Sequence, residues 1–182
     1  MDFVVVVEIP QGSRNKYEMD HTLGRIRLDR MLFTSTRYPA DYGYVEGTLG
    51  LDGEPLDALV LGGDPTFPGV MIHCRALGMF RMNDACGEDD KVLCVPATDP
   101  RMDHLRELDD ALTHDLREIQ HFFEVYKDLE PGKSFDSASS WLGRSAAEQE
   151  ITAARARRAG GSRRECDARS TPVHDSSRPK QF

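Results

Sequence analysis

Three carboxylates fall within six positions of the segment "LDGEPLD", residues 51–57: Asp52, Glu54 and Asp57. Gly53 and Pro55 lie between them and predict a tight turn, and the apolar run "ALVL" follows directly. Acidic side chains crowded beside an apolar strand repel one another unless a cation binds them. Oxygen ligands of this kind suit Mg²⁺. Taken alone, the segment is equally compatible with a solvent-exposed turn.

A second acidic cluster lies in "MNDACGEDDKVLCV", where a loop leads into another apolar run. Its charged residues are Asp84, Glu88, Asp89, Asp90 and Lys91. Two such clusters at neighbouring strand ends would hold two or more metal ions about 4 Å apart. An EF-hand does not fit, because its loop needs Gly at position six and Glu at position twelve. The His and Cys residues show no zinc-ligand spacing.

Basic and phenolic side chains form the third candidate group. Lys and Arg recur beside acids and tyrosines, at Lys16 with Glu18, Arg30, Lys91 and Lys127. Metal ions together with such cations describe a site for a small, highly charged oxyanion. Three tyrosines are candidate hydrogen-bond donors to the same anion: Tyr38, Tyr42 and Tyr126. A place in the apolar core is the alternative for each tyrosine.

The elements that must position these groups differ along the chain. Short apolar runs separated by Gly, Pro, Asn and Asp fill residues 1 to about 99 and predict an all-β barrel or sandwich core. The run "FVVVVEI" predicts a buried strand, and "DALVL" a strand buried on both faces. The chain as a whole is thus expected to be α+β, mainly β.

Helical periodicity begins after residue 110. Apolar residues recur at steps of three and four and predict one face of an amphipathic helix: Leu112, Leu116, Ile119, Phe123 and Tyr126. The Pro and Gly of "EPGK" are expected to end that helix. A second helix is predicted over "SAAEQEITAARARRA", stopped by Gly160 and Gly161.

Length and composition favour one folded domain of 182 residues with a separate tail. The division predicted is a domain over residues 1–159 and a disordered basic tail over 160–182. Residues 151–182 hold eight basic and three acidic residues, a net charge of +5. Because the whole chain has a net charge of −8, residues 1–150 carry a net charge of −13. So acidic a body disfavours binding of nucleic acid and favours binding of cations.

Location is predicted from apolar runs and cysteines. No run approaches the roughly 18 apolar residues of a membrane span. The four cysteines lack a disulfide framework, and a reducing cytoplasm is expected. A nucleic-acid-binding or partner-binding role for the tail stays open as the alternative, although no aromatic residues interleave its arginines.

Four spaced segments together resemble the family I soluble inorganic pyrophosphatases. They are "EIPQGSRNKYE", "YPADYGYVEGTLGLDGEPLDALVL", "DACGEDDK" and "HFFEVYKDLEPGK". The resemblance runs from about residue 3 to about residue 155. It implies a closed, five-stranded OB-like barrel with flanking helices, and Mg²⁺-dependent hydrolysis of pyrophosphate to two phosphates. Mn²⁺ or Zn²⁺ are expected substitutes, and a homohexamer is the assembly that the resemblance implies.

The resemblance also assigns site residues. The implied direct metal ligands are Asp52, Asp57, Asp84 and Asp89, with Glu8 acting largely through water. The implied phosphate-binding set is Lys16, Arg30, Tyr42, Lys91, Tyr126 and Lys127, with Glu18 and Tyr38 close by. A water molecule activated between metal ions would give its proton to a carboxylate and attack one phosphorus in line.

Position 54 departs from the family pattern, which has Asp there and assigns it to the attacking water. Glu54 is one methylene longer, about 1.5 Å, and a misplacement near 1 Å can cost roughly a hundredfold in rate. We therefore expect an active but slowed enzyme, with Asp89 as the second candidate base. A catalytically weak relative that binds phosphate or serves as a scaffold is the alternative. His21 and Cys86 also lie close to the quoted segments and have no role assigned by sequence.

Overall fold

The computed structural model describes residues 1–84, 87–131 and 139–161. Within these residues it contains eight strands: β1 (Asp2–Ile9), β2 (Asn15–Asp20), β3 (Arg25–Met31), β4 (Asp41–Val45), β5 (Asp57–Val60), β6 (Met71–Asp84), β7 (Gly87–Pro96) and β8 (Ser140–Gly143). It also contains the helices α1 (Thr113–Val125) and α2 (Arg144–Ala159). Short 3₁₀ turns at Pro100–Met102 and Leu108–Asp110 lead into α1.

Five strands form a closed ring of hydrogen bonds in the order β1-β4-β5-β7-β6, because β6 also pairs with β1. The pairing of β5 with β7 is parallel, and the other four pairings in the ring are antiparallel. β8 adds to β6 outside the ring, and β2 and β3 form a separate two-stranded hairpin. The prediction of a mainly β protein with helices is confirmed.

The apolar residues of the ring pack on both of its faces. Alternate side chains of a strand point to opposite faces, so Ala58 and Val60 of β5 join one buried cluster and Leu59 joins another. α2 contributes Ile151 to the first cluster, and α1 contributes Phe123 to the second. The prediction that this strand is buried on both faces is therefore confirmed.

The end of α2 agrees with the sequence prediction, whereas the end and the buried face of α1 differ from it. α2 ends at Ala159 with Gly160 as its cap, as predicted. α1 ends at Val125, so it stops before the Pro-Gly pair that was expected to end it. Leu112 was wrongly placed on the buried face, since it caps the helix N-terminus and is 69% exposed. Phe122 takes the buried position that periodicity missed.

The C-terminal tail predicted as disordered begins at residue 160, and its residues 162–182 lie outside the described residues. The described helices include none that is long and apolar enough to cross a membrane.

Gly43 allows β4 to approach β1, which we expect to make it intolerant of any side chain. A Cβ at this position would lie 1.9 Å from the carbonyl oxygen of Val6. We predict that Gly43→Ala lowers the free energy of unfolding by about 3 kcal/mol, because the clash is with backbone in a buried sheet. Urea denaturation monitored by circular dichroism measures this. Gly62→Ala is the matched control, since a Cβ there meets nothing within 4 Å, and equal losses in both variants would contradict the prediction.

Candidate active site

The buried ammonium of Lys91 lies at the centre of the candidate site. Lys91 is 1% exposed, and its Nζ donates to Asp57 Oδ2 at 2.8 Å and to Asp89 Oδ1 at 2.7 Å. The parallel register of β5 and β7 sets Asp57 beside Lys91, and Asp89 lies two residues earlier on the same face of β7. The sequence-predicted ligands Asp57 and Asp89 are thus brought together by a lysine.

Tyr42 completes the surroundings of this ammonium. Its hydroxyl donates to Asp57 and lies 3.3 Å from Lys91 Nζ. The Lys91 cation also lies 5.0 Å from the ring centroid of Phe123 and 5.7 Å from that of Tyr42. Burial disfavours the charged ammonium, but the carboxylates of Asp57 and Asp89 outweigh it and hold the pKa of Lys91 well above its ordinary value. Lys91 therefore stays charged.

A cleft beside Lys91 is lined by carboxylates from three parts of the chain. They are Asp52 and Asp57 around the β5 entry, Glu88, Asp89 and Asp90 on β7, and Glu150 on α2. Glu150 was missed by sequence reasoning, because an acidic residue on an amphipathic helix has no distinguishing local pattern. Its pairing with Arg157, seven residues on, is the signal that would have found it.

The loop before β5 holds Asp52 through its own hydrogen bonds. Asp52 Oδ1 accepts from the Glu54 amide at 3.0 Å, and the Glu54 carbonyl accepts from the Gly50 amide at 2.6 Å. Gly53 has φ +91°, a left-handed conformation that favours glycine. Partial burial raises the pKa of Asp52 to about 6, opposed by the bond from the Glu54 amide. Burial and the charges of neighbouring carboxylates thus make the ionised form of Asp52 less favourable.

Glu54 lies at the exposed tip of this loop, between the cleft-lining residues Asp52 and Pro55. Its backbone is fixed at both polar atoms, while its side chain is exposed to solvent. The residue that the resemblance assigns to the attacking water is therefore an exposed residue next to the cleft-lining loop residues.

Glu8, at the end of β1, connects the ring to the β2–β3 hairpin. Its Oε1 accepts from the Met19 amide at 2.6 Å. Burial raises the pKa of Glu8 to about 7; the bond from Met19 and the charge of Lys16 oppose the rise, and the charge of Asp57 adds to it. Glu8 is therefore a second acid of the site whose ionised form is made less favourable by burial.

The hairpin carries the basic residues and the acids that pair with them. Lys16 Nζ donates to Glu18 Oε1 at 2.5 Å and lies 3.4 Å from Asp29 Oδ2. Arg30 donates to Glu130 Oε1 from Nε at 2.9 Å and from Nη2 at 2.6 Å. Glu130 is buried and was not singled out from the sequence, although it lies within the segment "HFFEVYKDLEPGK" that carries the resemblance. These pairs hold two of the predicted anion-binding cations in place.

Tyr38 and Tyr126 lie in the core cluster under α1, and both are buried. Burial raises the pKa of each phenol above its ordinary value, so both keep their proton and remain hydrogen-bond donors. The Lys127 ammonium lies 5.1 Å from the centroid of the Tyr126 ring. The Tyr38 ring packs against that of Phe122 in a tilted arrangement, with ring centroids 4.8 Å apart, so the alternative of a place in the apolar core also holds for Tyr38.

Three predicted or noted residues fall elsewhere. The side chain of Asp84, a predicted metal ligand, lies outside the described residues, as does Cys86. His21 is exposed and packs edge-on against Tyr44 with ring centroids 5.3 Å apart. Within the described parts of the chain, no three His, Cys, Asp or Glu side chains are close enough to hold a metal ion as they stand.

Comparison of the sequence with known protein families shows to which family the chain belongs. The family model described as inorganic pyrophosphatase matches residues 5–159. The chain belongs to the inorganic pyrophosphatase family. Its membership makes it an enzyme, a hydrolase, and confirms the resemblance found in the sequence.

Individual members of the pyrophosphatase family match over nearly their full length. An inorganic pyrophosphatase of Streptomyces coelicolor is 67% identical over 151 residues, covering 83% of this chain and 92% of that protein. One of Corynebacterium glutamicum is 51% identical over 149 residues, with 82% and 93% covered. The crystal structure of inorganic pyrophosphatase from Thermus thermophilus matches with a TM-score of 0.84 at 45% identity, covering 87% of this chain and 92% of that chain.

The raised pKa of Glu8 predicts a pH-dependent stability of the metal-free protein. Between pH 4.5 and about 7 the folded state keeps a proton on Glu8 that the unfolded state has lost, so stability falls as pH rises through that window. Glu8→Gln keeps the acceptor for Met19 and has no proton to lose. We predict that its stability relative to the unchanged protein rises by up to about 3 kcal/mol from pH 4.5 to pH 8.

Urea denaturation in EDTA at a series of pH values measures this difference. Glu118→Gln, at an exposed position of α1, is the matched control. A stability difference between Glu8→Gln and the unchanged protein that does not vary with pH would contradict the prediction.

Proposed function

We propose that the protein hydrolyses inorganic pyrophosphate to two orthophosphates with Mg²⁺ as its cofactor. The observation that carries the proposal is the Lys91 ammonium between Asp57 and Asp89 beside a carboxylate-lined cleft. Such a cleft provides both the anionic ligands that metal ions require and a buried cation for a phosphate. Membership of the pyrophosphatase family supports the same substrate.

The donor set fits the cation. Asp52, Asp57 and Asp89 line one cleft and supply only hard oxygen ligands, which Mg²⁺ prefers; Mn²⁺ or Zn²⁺ would substitute. Burial and then the neighbouring carboxylates raise the pKa of Asp52, and a bound cation would oppose that rise. We assign Asp52, Asp57 and Asp89, with Asp84 and Glu8, to hold the ions. Bound there, Mg²⁺ would polarise phosphate oxygens and lower the pKa of a bound water.

The chain's own cations and phenols would bind the substrate. Lys16, Arg30, Lys91 and Lys127 would attract the phosphate oxygens as charged donors. Tyr38, Tyr42 and Tyr126 are proposed to donate hydroxyl hydrogen bonds that strengthen as charge develops on the leaving phosphate. Glu18 holds Lys16, and Glu130 holds Arg30, so these two cations are oriented before the substrate binds.

Proton transfer completes the reaction. The oxygen of water bonds to one phosphorus, the bridging P–O bond breaks, and the proton of water passes to a carboxylate. We assign Glu54 as that carboxylate because its position matches the family's acid, with Asp89 as the second candidate. Glu54 is exposed beside the cleft-lining residue Asp52, and its side chain is one methylene longer than the family's Asp.

The wider architecture is proposed on the same basis. The ring of five strands supports an OB-like barrel as the fold of a domain spanning residues 1–159, with the basic tail of residues 160–182 outside it. The free cysteines Cys74 and Cys94 are both buried, which fits a reducing cytoplasm. We also propose a homohexamer, on the resemblance alone.

Release of phosphate from pyrophosphate tests the proposed function. We predict Mg²⁺-dependent release by the unchanged protein, abolished by EDTA and restored by added Mg²⁺. Asp57→Asn, which keeps the side chain's shape but removes its charge, should lower the rate at least about 100-fold. Absence of metal-dependent release by a correctly folded protein would overturn the proposal and favour a phosphate-binding or scaffold role.

Shortening Glu54 tests its assignment. We predict that Glu54→Asp raises kcat between about 10-fold and 100-fold, because it removes the methylene that displaces the carboxylate. Glu54→Gln is the matched control and should lower kcat, since an amide does not accept the proton. If Glu54→Asp leaves kcat unaltered or lowers it, the assignment of Glu54 is wrong and Asp89 becomes the candidate base.

A further inference from the structure

The loop that carries Asp52 is attached to α2 through both backbone polar atoms of Leu49. The Leu49 amide donates to the carbonyl of Ala154 at 3.0 Å. The Leu49 carbonyl accepts from Arg157 Nε at 2.8 Å. Leu49 is buried, so these bonds are sheltered from water and each would be costly to lose.

The loop on either side of Leu49 is held as one unit by its own hydrogen bonds. Thr48 Oγ1 accepts from the Leu56 amide at 3.0 Å and donates to the Val45 carbonyl at 2.5 Å. The bonds between Gly50, Glu54 and Asp52 described above close the rest of the loop. A Cβ on Gly50 would lie 2.8 Å from Asp52 Oδ1, which shows how closely the carboxylate packs on the loop. A shift of Leu49 is therefore passed on to Asp52.

Arg157 also reaches the cleft from the other side. Its Nη2 pairs with Glu150, two helical turns earlier on α2, and Glu150 lines the same cleft as Asp52. The guanidinium thus joins a cleft carboxylate to the backbone of the Asp52 loop. Its planar fork allows Nε and Nη2 to serve these two partners at once, which an ammonium does with less geometric control.

We propose that Arg157 is a positioning residue for the metal ligand Asp52, acting through the carbonyl of Leu49. The role rests on the proposed function only in that Asp52 is taken to hold Mg²⁺. Arg157 itself touches neither metal nor substrate. Loss of the guanidinium would let the loop move and place Asp52 less well for the ion, while the other assigned ligands stay on strands of the ring.

The Mg²⁺ requirement of the enzyme gives the first test. We expect Arg157→Ala to raise the Mg²⁺ concentration for half-maximal pyrophosphate hydrolysis by about 10-fold, the range found when groups that orient metal ligands are removed. At saturating Mg²⁺ the kcat should recover to within about threefold. Arg158→Ala is the matched control, because it removes the same charge from the next, exposed position of α2.

Mg²⁺ binding in the absence of substrate separates this inference from the proposed function. Titration calorimetry with MgCl₂ should show the same weakening in Arg157→Ala and none in Arg158→Ala, whether or not pyrophosphate is hydrolysed. Equal Mg²⁺ affinities in the two variants would overturn the role of Arg157. A kcat that stays low at saturating Mg²⁺, with unchanged affinity, would overturn it as well.

Two further measurements distinguish an effect of Arg157 through the Asp52 loop from an effect through the charge of Glu150 and from a general loss of stability. The effect of Arg157→Ala on Mg²⁺ affinity should persist within about twofold in a Glu150→Gln background; its disappearance would show that Arg157 acts through Glu150 and not through Leu49. Hydrogen exchange should accelerate in a peptide covering residues 48–56 and not in one covering residues 87–96. Equal acceleration in both peptides would indicate a structural role alone and contradict the proposal.

Discussion

A single buried ammonium governs the arrangement of the site. Removing a charge from water costs several kcal/mol, and that cost is offset only where partners are close and well oriented. Lys91 meets the condition with two carboxylates and a tyrosine hydroxyl within 3.3 Å of its Nζ. The parallel pairing of β5 with β7 supplies the geometry. The register of this pairing and the position of the acids therefore depend on one another.

Apart from Lys91, the carboxylates of the cleft and the cations Lys16 and Arg30 belong to different sheets. The carboxylates lie on or beside strands of the ring and on α2, while Lys16 and Arg30 lie on the separate hairpin. Glu8 joins these two groups by accepting from Met19 of the hairpin. This division lets opposite charges gather around one cleft while each is held by its own neighbours. The acids of the cleft are thus not all neutralised by the chain's own cations.

Local patterns in the sequence were sufficient to predict features that depend on neighbouring residues. The buried run of β1, the extent of α2 and the two acidic segments follow from composition and spacing alone. β2 was missed because all six of its residues are half-buried, which leaves no alternation of apolar and polar positions. Leu112 was misplaced because the apolar periodicity extends one residue before the helix, which begins at Thr113.

Partners distant in sequence are the features that local patterns do not contain. The contact of Asp57 with Lys91 depends on a parallel register between strands that β6 separates in the chain. Glu130 looks like an ordinary surface acid until Arg30, 100 residues away in the chain, is brought to it. Family resemblance supplied most candidate site residues, but it contained no information on these supporting pairs.

The attachment of Leu49 to α2 has a consequence for the order of events during synthesis. The bond from Arg157 spans 108 residues, and at ribosomal speeds that interval takes roughly 5 to 20 s. Throughout it the nascent chain carries the Asp52 loop without its anchor, although β1, β4 and β5 have already been made. The anchor of the Asp52 loop can therefore form only after α2 has been synthesised.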